Sequence, residues 1–501
     1  MSSNSYSTIF NITDFGAVAD GKTLCTEAFV AAIKACVERG GGTVYVPAGR
    51  FLTGPIHFQS NITLNLDAGA RLLFSQDPAD YPLVYTRWEG AECECYSPLL
   101  YGANLENIAV VGRGVLDGQG QPWWEKKWQN KLEYPRPRFI GFEKCQNVVL
   151  EGVTLVDSPS WTISPVRCEN VTIDKITIIN PAHSPNTDGI DPDSCKNVHI
   201  SNCLVDVGDD CIAIKSGTEA GLERIPCENI TITNCTMVHG HGGVVIGSEM
   251  SGGVRNVVIS NCVFEGTDRG IRIKSRRGRG GLVEDVRVDN IIIKGSISPI
   301  VMHKFYHCGE GGKEERVWDK NPHPVDATTP AFRRIHFSNI TAREVTAAAG
   351  FLYGLPEFPI SDVSFDNISI HLAKEAKPEK PAMMCHLEPM QRQGFICNYV
   401  KNVSFKNVTI INHDGAAFQI NNSQNIEISN CTTADADLAE PVIVLNNVDQ
   451  AVIQASLLAK GLKTFLKVQG EASQGIGLVG RSVPQEQVSV GDGASQNALI
   501  K

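Results

Sequence analysis

Apolar and polar positions alternate in short runs along most of this chain, and the runs recur. An Asn or Asp, a β-branched residue and a further apolar residue two positions on appear at Asn107-Ile108, Asn147-Val148, Asn170-Val171-Thr172-Ile173, Asn197-Val198-His199-Ile200 and Asn229-Ile230-Thr231-Ile232. The unit continues through Asn256-Val257, Asp285-Val286, Arg334-Ile335, Asp362-Val363, Asn402-Val403 and Asn425-Ile426. Its interval is mostly about 23 to 32 residues, longer where a loop is inserted. A second unit trails it at Asn202-Cys203, Asn234-Cys235, Asn261-Cys262, Asn339-Ile340, Asn367-Ile368 and Asn430-Cys431. Alternating Val, Ile and Thr broken by Asn, Gly and Asp predict short strands joined by turns, not helices.

Strands at this interval fit a propeller, a leucine-rich horseshoe or a parallel β-helix. A propeller blade needs four strands in about 40 residues and carries its own signature, which is absent, and a horseshoe would place Leu where this chain has Val and Ile. One β-helix turn takes three short strands, and turns stack at about 4.8 Å. Asn in the same place on successive turns then forms an amide ladder, with aligned Val, Ile and Cys inside. The prediction is an all-β solenoid, a parallel β-helix. The one clear amphipathic helix, Thr26 to Cys36, ends at Gly40-Gly41-Gly42 and is placed to cap the open end, whose strand edges would otherwise invite aggregation.

Length changes this picture little, because a solenoid of 501 residues grows without splitting. The expected organisation is one domain, 1–501: cap and first turns to about 85, repeat turns with the cleft over about 86–455, and a loosely packed cap or tail over about 456–501. Met1 to Ser7 is polar with no apolar segment after it, so a cytoplasmic location is expected, and no apolar run is long enough to span a membrane. The 16 cysteines read as buried, reduced thiols, since Cys203, Cys235, Cys262 and Cys431 occupy equivalent repeat positions. Cys93-Glu94-Cys95 lacks the partners of a zinc site, and no metal or cofactor is expected. A net charge of −10 argues against nucleic acid as partner. A homo-oligomer stays open.

Chemistry concentrates in four segments about one turn apart: Asn186-Thr187-Asp188-Gly189, Gly208-Asp209-Asp210-Cys211, Gly240-His241-Gly242 and Arg272-Ile273-Lys274. Stacking brings the acids of two turns into one patch, the raw material of acid–base hydrolysis. Arg272 and Lys274, two apart on a strand, share a face and suit a carboxylate ligand. Each segment alone has a duller reading. Asp191 and Asp193 read as turn residues, Asn186 as a ladder position, Asp209-Asp210 as a surface or metal feature, and Arg276 to Arg279 as a solvated loop.

In this order and spacing the four segments resemble the signatures of the polygalacturonases, the pectin hydrolases of glycoside hydrolase family 28. The likeness runs from about Asp14-Phe15-Gly16 to residue 310 and includes Ile246 to Gly253 and Arg277 to Gly281, which resemble the bacterial exo-acting and plant-type branches. It implies a right-handed parallel β-helix and inverting hydrolysis of α-1,4-galacturonosidic bonds in galacturonate-containing oligo- or polysaccharide. Asp209 matches the general acid, with its pKa expected to rise beside Asp188 and Asp210. Asp188 and Asp210 match the pair that activates water, and His241 the histidine that tunes the acid. Arg272 and Lys274 match the carboxylate-binding residues, Asn186 a substrate contact, and Tyr306 a substrate-binding tyrosine. End-trimming with release of galacturonate is expected, the insertion Gly309 to Arg333 or the segment Glu89 to Pro98 closing one end of the groove and the later arginines gripping the terminal carboxylate. The alternatives are a rhamnogalacturonan-type hydrolase, a pectate lyase-like enzyme and a non-catalytic polysaccharide-binding solenoid.

Overall fold

The computed structural model describes residues 8–309, 311–435, 439–455, 462–480 and 483–500. Two compact units, 1–241 and 242–501, divide the chain, and both are built from turns of right-handed parallel β-helix.

In the first unit each turn contributes to parallel rows. One row runs Gly42–Val46, Ile62–Leu66, Glu106–Gly112, Gln146–Glu151, Glu169–Asp174, Lys196–Ser201 and Cys227–Thr233. Val148, Val171, Val198 and Ile230 are in register in that row, all buried, so the β-branched residue of every repeat lands on its counterpart. A second row runs from Gly49–Thr53 through Ala70–Phe74, Val115–Asp117, Thr154–Val156, Thr177–Ile179 and Leu204–Val207. The third passes from Leu100–Ala103 to Ile140–Glu143, then through single bridges at Ile163, Ile190 and Ile212. This third row carries the acidic segments.

The amide ladder forms as expected. Asn107, Asn147, Asn170, Asn197 and Asn229 each donate Nδ2–H to the Asn one turn before, at 2.8 to 3.2 Å. All five have φ between 55 and 60°. Asn tolerates this left-handed conformation better than other side chains, which accounts for its recurrence at the bend. The cysteines are free thiols. Besides the expected Cys203–Cys235 contact, a second column occurs in which the N–H groups of Cys145, Cys168 and Cys195 donate to the sulfur of the next turn's cysteine, ending at Cys227.

The capping helix spans Thr26–Val37 and buries Ala28, Phe29, Ala32, Ile33 and Cys36. The helix Gln121–Trp128, which buries Trp123 and Trp124, was not expected from the periodicity. Nor was the antiparallel hairpin Leu83–Trp88/Ala91–Tyr96, which includes most of the segment Glu89 to Pro98. Its turn residues Glu89 and Gly90 both have positive φ, 46° and 80°, the twist a two-residue hairpin requires.

The second unit stacks longer strands, Val254–Glu265, Leu282–Lys294, Ala331–Val345, Ile360–Leu372 and Val400–Ile411. Beside them run Arg269–Lys274, Ser298–His303, Ala348–Tyr353 and Gln393–Asn398. Two expectations fail here. The C-terminal segment is not a loose tail, because Ile443–Ala455 pairs with Leu466–Gln469 and Gln474–Gly480, and these pair with Val488–Val490 and Leu499–Ile500. Residues 456–461, 481–482 and 501 of that tail lie outside the described set. Arg276 to Arg279 are not a solvated loop either, since Arg276, Arg277 and Arg279 are all buried. Arg277 pairs with Glu357 through Nε at 2.6 Å and Nη2 at 2.9 Å and donates to the carbonyls of Arg316, Asp319 and Asn321. It fastens the insertion down and has no donor left to grip a sugar.

Candidate active site

Stacking in the first unit sets the acidic patch. The N–H of Gly189 donates to the Asp210 carbonyl at 3.0 Å and that of Thr162 to the Asp188 carbonyl at 2.9 Å, which fixes the Asp188 turn against its neighbours. Asp188, Asp209 and Asp210 each present a carboxylate oxygen within 4.8 Å of the others. Asp188 and Asp210 are 4% and 3% exposed, whereas Asp209 is only half-buried. One carboxyl group therefore faces outward and two stand behind it. Burial, then the charges of Asp191 and Asp209, push the Asp188 carboxyl well above the usual carboxylate range. His241 follows on the next turn, its N–H on the Asp209 carbonyl at 3.1 Å and its side chain exposed. Gly240 makes that approach possible: its φ is 75°, and a Cβ there would stand 2.3 Å from the same carbonyl.

Three neighbours were invisible in the sequence. Lys215 Nζ lies 3.0 Å from Asp191 and 3.5 Å from Asp188, and 4.1 Å from the centroid of the Trp161 ring. Asp191 is thus a buried partner of this lysine, not a turn residue, and Asp193 is likewise ion-paired, to Arg87 at 2.8 Å. Arg136 donates to Asn186 Oδ1 at 2.7 Å and to the carbonyls of Pro159 and Pro185. Asn186 is held by the arginine and is not a rung of the amide ladder. Burial draws the Arg136 pKa down to about 10 against the opposing charges of Glu89, Asp188 and Asp209, so it remains a cation.

In the second unit, Arg272 and Lys274 lie on the strand Arg269–Lys274, both buried and both facing Tyr306. The Arg272 guanidinium is 5.7 Å and the Lys274 ammonium 5.1 Å from the Tyr306 ring centroid. His303, opposite Lys274 in register, is fully buried with its ring 6.2 Å from Tyr306. Burial first, then the charges of Arg272, Lys274, Arg269 and Lys320, hold its pKa well below the usual imidazole value. The structure thus brings together the residues expected in each unit: Asp188, Asp209, Asp210 and His241 in the first, Arg272, Lys274 and Tyr306 in the second.

The first unit carries a carboxylate cluster on parallel β-helix turns, and the second carries paired cations on a strand of its own rows. Comparison with known proteins identifies the family. The family described as Glycosyl hydrolases family 28 matches residues 36–387. A probable polygalacturonase of Vitis vinifera is 37% identical over 380 residues, 73% of this chain and 75% of that one. The chain is similar to the crystal structure of a hyperthermoactive exopolygalacturonase from Thermotoga maritima, with TM-score 0.69 and 33% identity over 80% of this chain and 91% of that one. It is also similar to a polygalacturonase from Erwinia carotovora, with TM-score 0.54 and 27% identity over 78% of this chain and 92% of that one. The chain belongs to glycoside hydrolase family 28 and is an enzyme of the polygalacturonase kind.

Proposed function

We propose that this enzyme hydrolyses α-1,4-galacturonosidic bonds from a chain end, releasing galacturonate by a single displacement. The observation that supports it is the unequal exposure of three clustered carboxyl groups, Asp209 outward and Asp188 and Asp210 behind. Three carboxylates this close cannot all ionise near neutrality, so the cluster keeps a proton to give. Asp209 donates it to the glycosidic oxygen as the bond to the anomeric carbon breaks. A water held by Asp188 and Asp210 attacks that carbon and leaves its proton on the pair.

The 4.8 Å bound is the nearest approach of single oxygens and differs from the spacing of whole carboxyl groups, about 5 to 5.5 Å in retaining and about 6.5 to 9.5 Å in inverting enzymes. Burial favours inversion. A double displacement needs a carboxylate oxygen in contact with the anomeric carbon, and the two rear carboxylates, 4% and 3% exposed, offer water an edge but a sugar ring little room. Arg272 and Lys274 bind the galacturonate carboxylate, with the Tyr306 ring beside both charges. The similarity to an exopolygalacturonase supports the end-trimming mode.

A second reading has one observation in its favour: the same three carboxylate oxygens could chelate a cation, as a calcium-dependent lyase would need. Lys215 already supplies a positive charge to Asp188 at 3.5 Å. Assay on polygalacturonate with and without chelator separates the two. Reducing ends without ultraviolet-absorbing unsaturated products, unchanged by chelator, are the expected result; unsaturated products lost on chelation would replace hydrolysis with elimination.

A further inference from the structure

The hairpin Leu83–Tyr96 is clasped to the catalytic turns of its own unit. Arg87, 1% exposed, donates to Asp193 at 2.8 Å, Ser194 at 2.9 Å and Glu92 at 3.3 Å. Arg167 joins Glu92 to Glu143 and Glu223. Thr86 donates to Glu143 at 2.8 Å and accepts from Arg138 at 2.6 Å. From the loop after Lys215, the N–H and hydroxyl of Thr218 both donate to the Gly90 carbonyl, and the N–H of Leu222 donates to Glu92. A Cβ on Gly90 would lie 2.3 Å from Thr218, so the tip is seated as closely as backbone allows. Buried, mutually paired charges on both sides make this a fixed wall and not a mobile lid.

What the tip presents is specific. Trp88 stacks on Trp161 with ring centroids 4.6 Å apart, and Trp161 in turn faces the ammonium of Lys215, the partner of Asp188. Glu89 is exposed at the apex, and its charge acts on the Arg136 guanidinium as those of Asp188 and Asp209 do. The clasp makes no use of Glu89. Its φ of 46° is a conformation that Asn or Gly adopts more easily, and a two-residue turn of this kind favours them. A strained residue kept at the mouth of a site points to a use in the site.

We propose that the tip Trp88-Glu89 is the end stop of the cleft: Glu89 accepts hydrogen bonds from the hydroxyls of the terminal galacturonate, and its charge, with the Trp88 indole, refuses the carboxylate of any sugar beyond. This rests on the end-trimming reading above and names the residues that impose it. Polygalacturonate carries one negative charge per sugar, so a fixed carboxylate one sugar past the scissile bond penalises every internal register and spares the terminal one.

The test compares first-formed products from long polygalacturonate for the wild type, Glu89→Ala, Glu89→Gln and the double variant Trp88→Ala/Glu89→Ala. The wild type gives monogalacturonate; a ladder from the wild type would sink the end-trimming reading itself before the stop is in question. Loss of one charge-assisted contact should raise the share of di- and longer products roughly tenfold in Glu89→Ala. Glu89→Gln, which keeps an acceptor but no charge, should fall between, and the double variant should also lower viscosity faster per bond cut. Monomer alone from folded Glu89→Ala and from the double variant overturns the proposal. Should the double variant lose its fold, the exposed Glu89 single variants carry the same two outcomes.

Discussion

Lys215 Nζ stands 3.5 Å from the Asp188 carboxylate. It opposes a pKa that burial and neighbouring acids push up. Lys215→Met removes that opposition, so Asp188 should stay protonated to higher pH and fail as a water-activating base over more of the range. The acid limb of the kcat/KM profile should move toward neutral pH, with a loss of roughly tenfold or more at pH 5. An unshifted limb in a folded variant would take Lys215 out of the site.

Asp209→Asn should leave the fold intact and remove the proton the leaving oxygen needs. General acid catalysis contributes roughly 10²- to 10⁴-fold, and kcat should fall by that factor with KM nearly unchanged. A folded variant with more than about a tenth of wild-type turnover would assign the acid elsewhere.

Charge recognition in the second unit is tested by Lys274→Ala. A charge-assisted contact is worth roughly 1.5 to 3 kcal/mol, so kcat/KM on polygalacturonate should drop at least about tenfold. The wild type should also turn over methyl-esterified pectin poorly, because the ester carries no charge. Equal rates on free and esterified chains would contradict the assignment.

His303 should make stability pH-dependent. Its folded pKa lies well below 6.5, so below pH 6.5 the unfolded chain takes up a proton that the folded chain refuses. The stabilisation is complete above 6.5 and drains away as pH falls, at up to about 1.4 kcal/mol per unit. Thermal unfolding from pH 7 to 5 should show a shallower fall in Tm for His303→Gln than for the wild type. Parallel lines would mean that His303 titrates normally.

The fold was legible because its two recurring choices, β-branched residues inward and Asn at a left-handed bend, are both properties of single residues that repeat. The clustering of the candidate residues was legible where a glycine precedes a polar side chain, as at Gly208-Asp209-Asp210 and Gly240-His241. Lys215, Arg136 and Arg87 were missed for a common reason. Strand periodicity says which side chains avoid the core, and an outward lysine or arginine reads as solvent-facing. Here the outward side is covered again, by Trp161, by the carbonyls of Pro159 and Pro185, and by a hairpin from a distant part of the sequence. The same covering misled the reading of Arg277, whose partners come from Arg316 to Glu357. Asp191 looked like a turn residue beside Pro192, and only the lysine on the next turn shows it to be buried chemistry.

Single-displacement hydrolysis by Asp209 with Asp188 and Asp210 inverts the anomeric carbon. Proton NMR of the first turnovers on polygalacturonate, recorded before the released sugar mutarotates, tests it most directly. The new reducing end should appear as the β-anomer from an α-linked chain. The α-anomer appearing first would mean retention, with one of the buried aspartates acting as nucleophile, and would contradict single displacement.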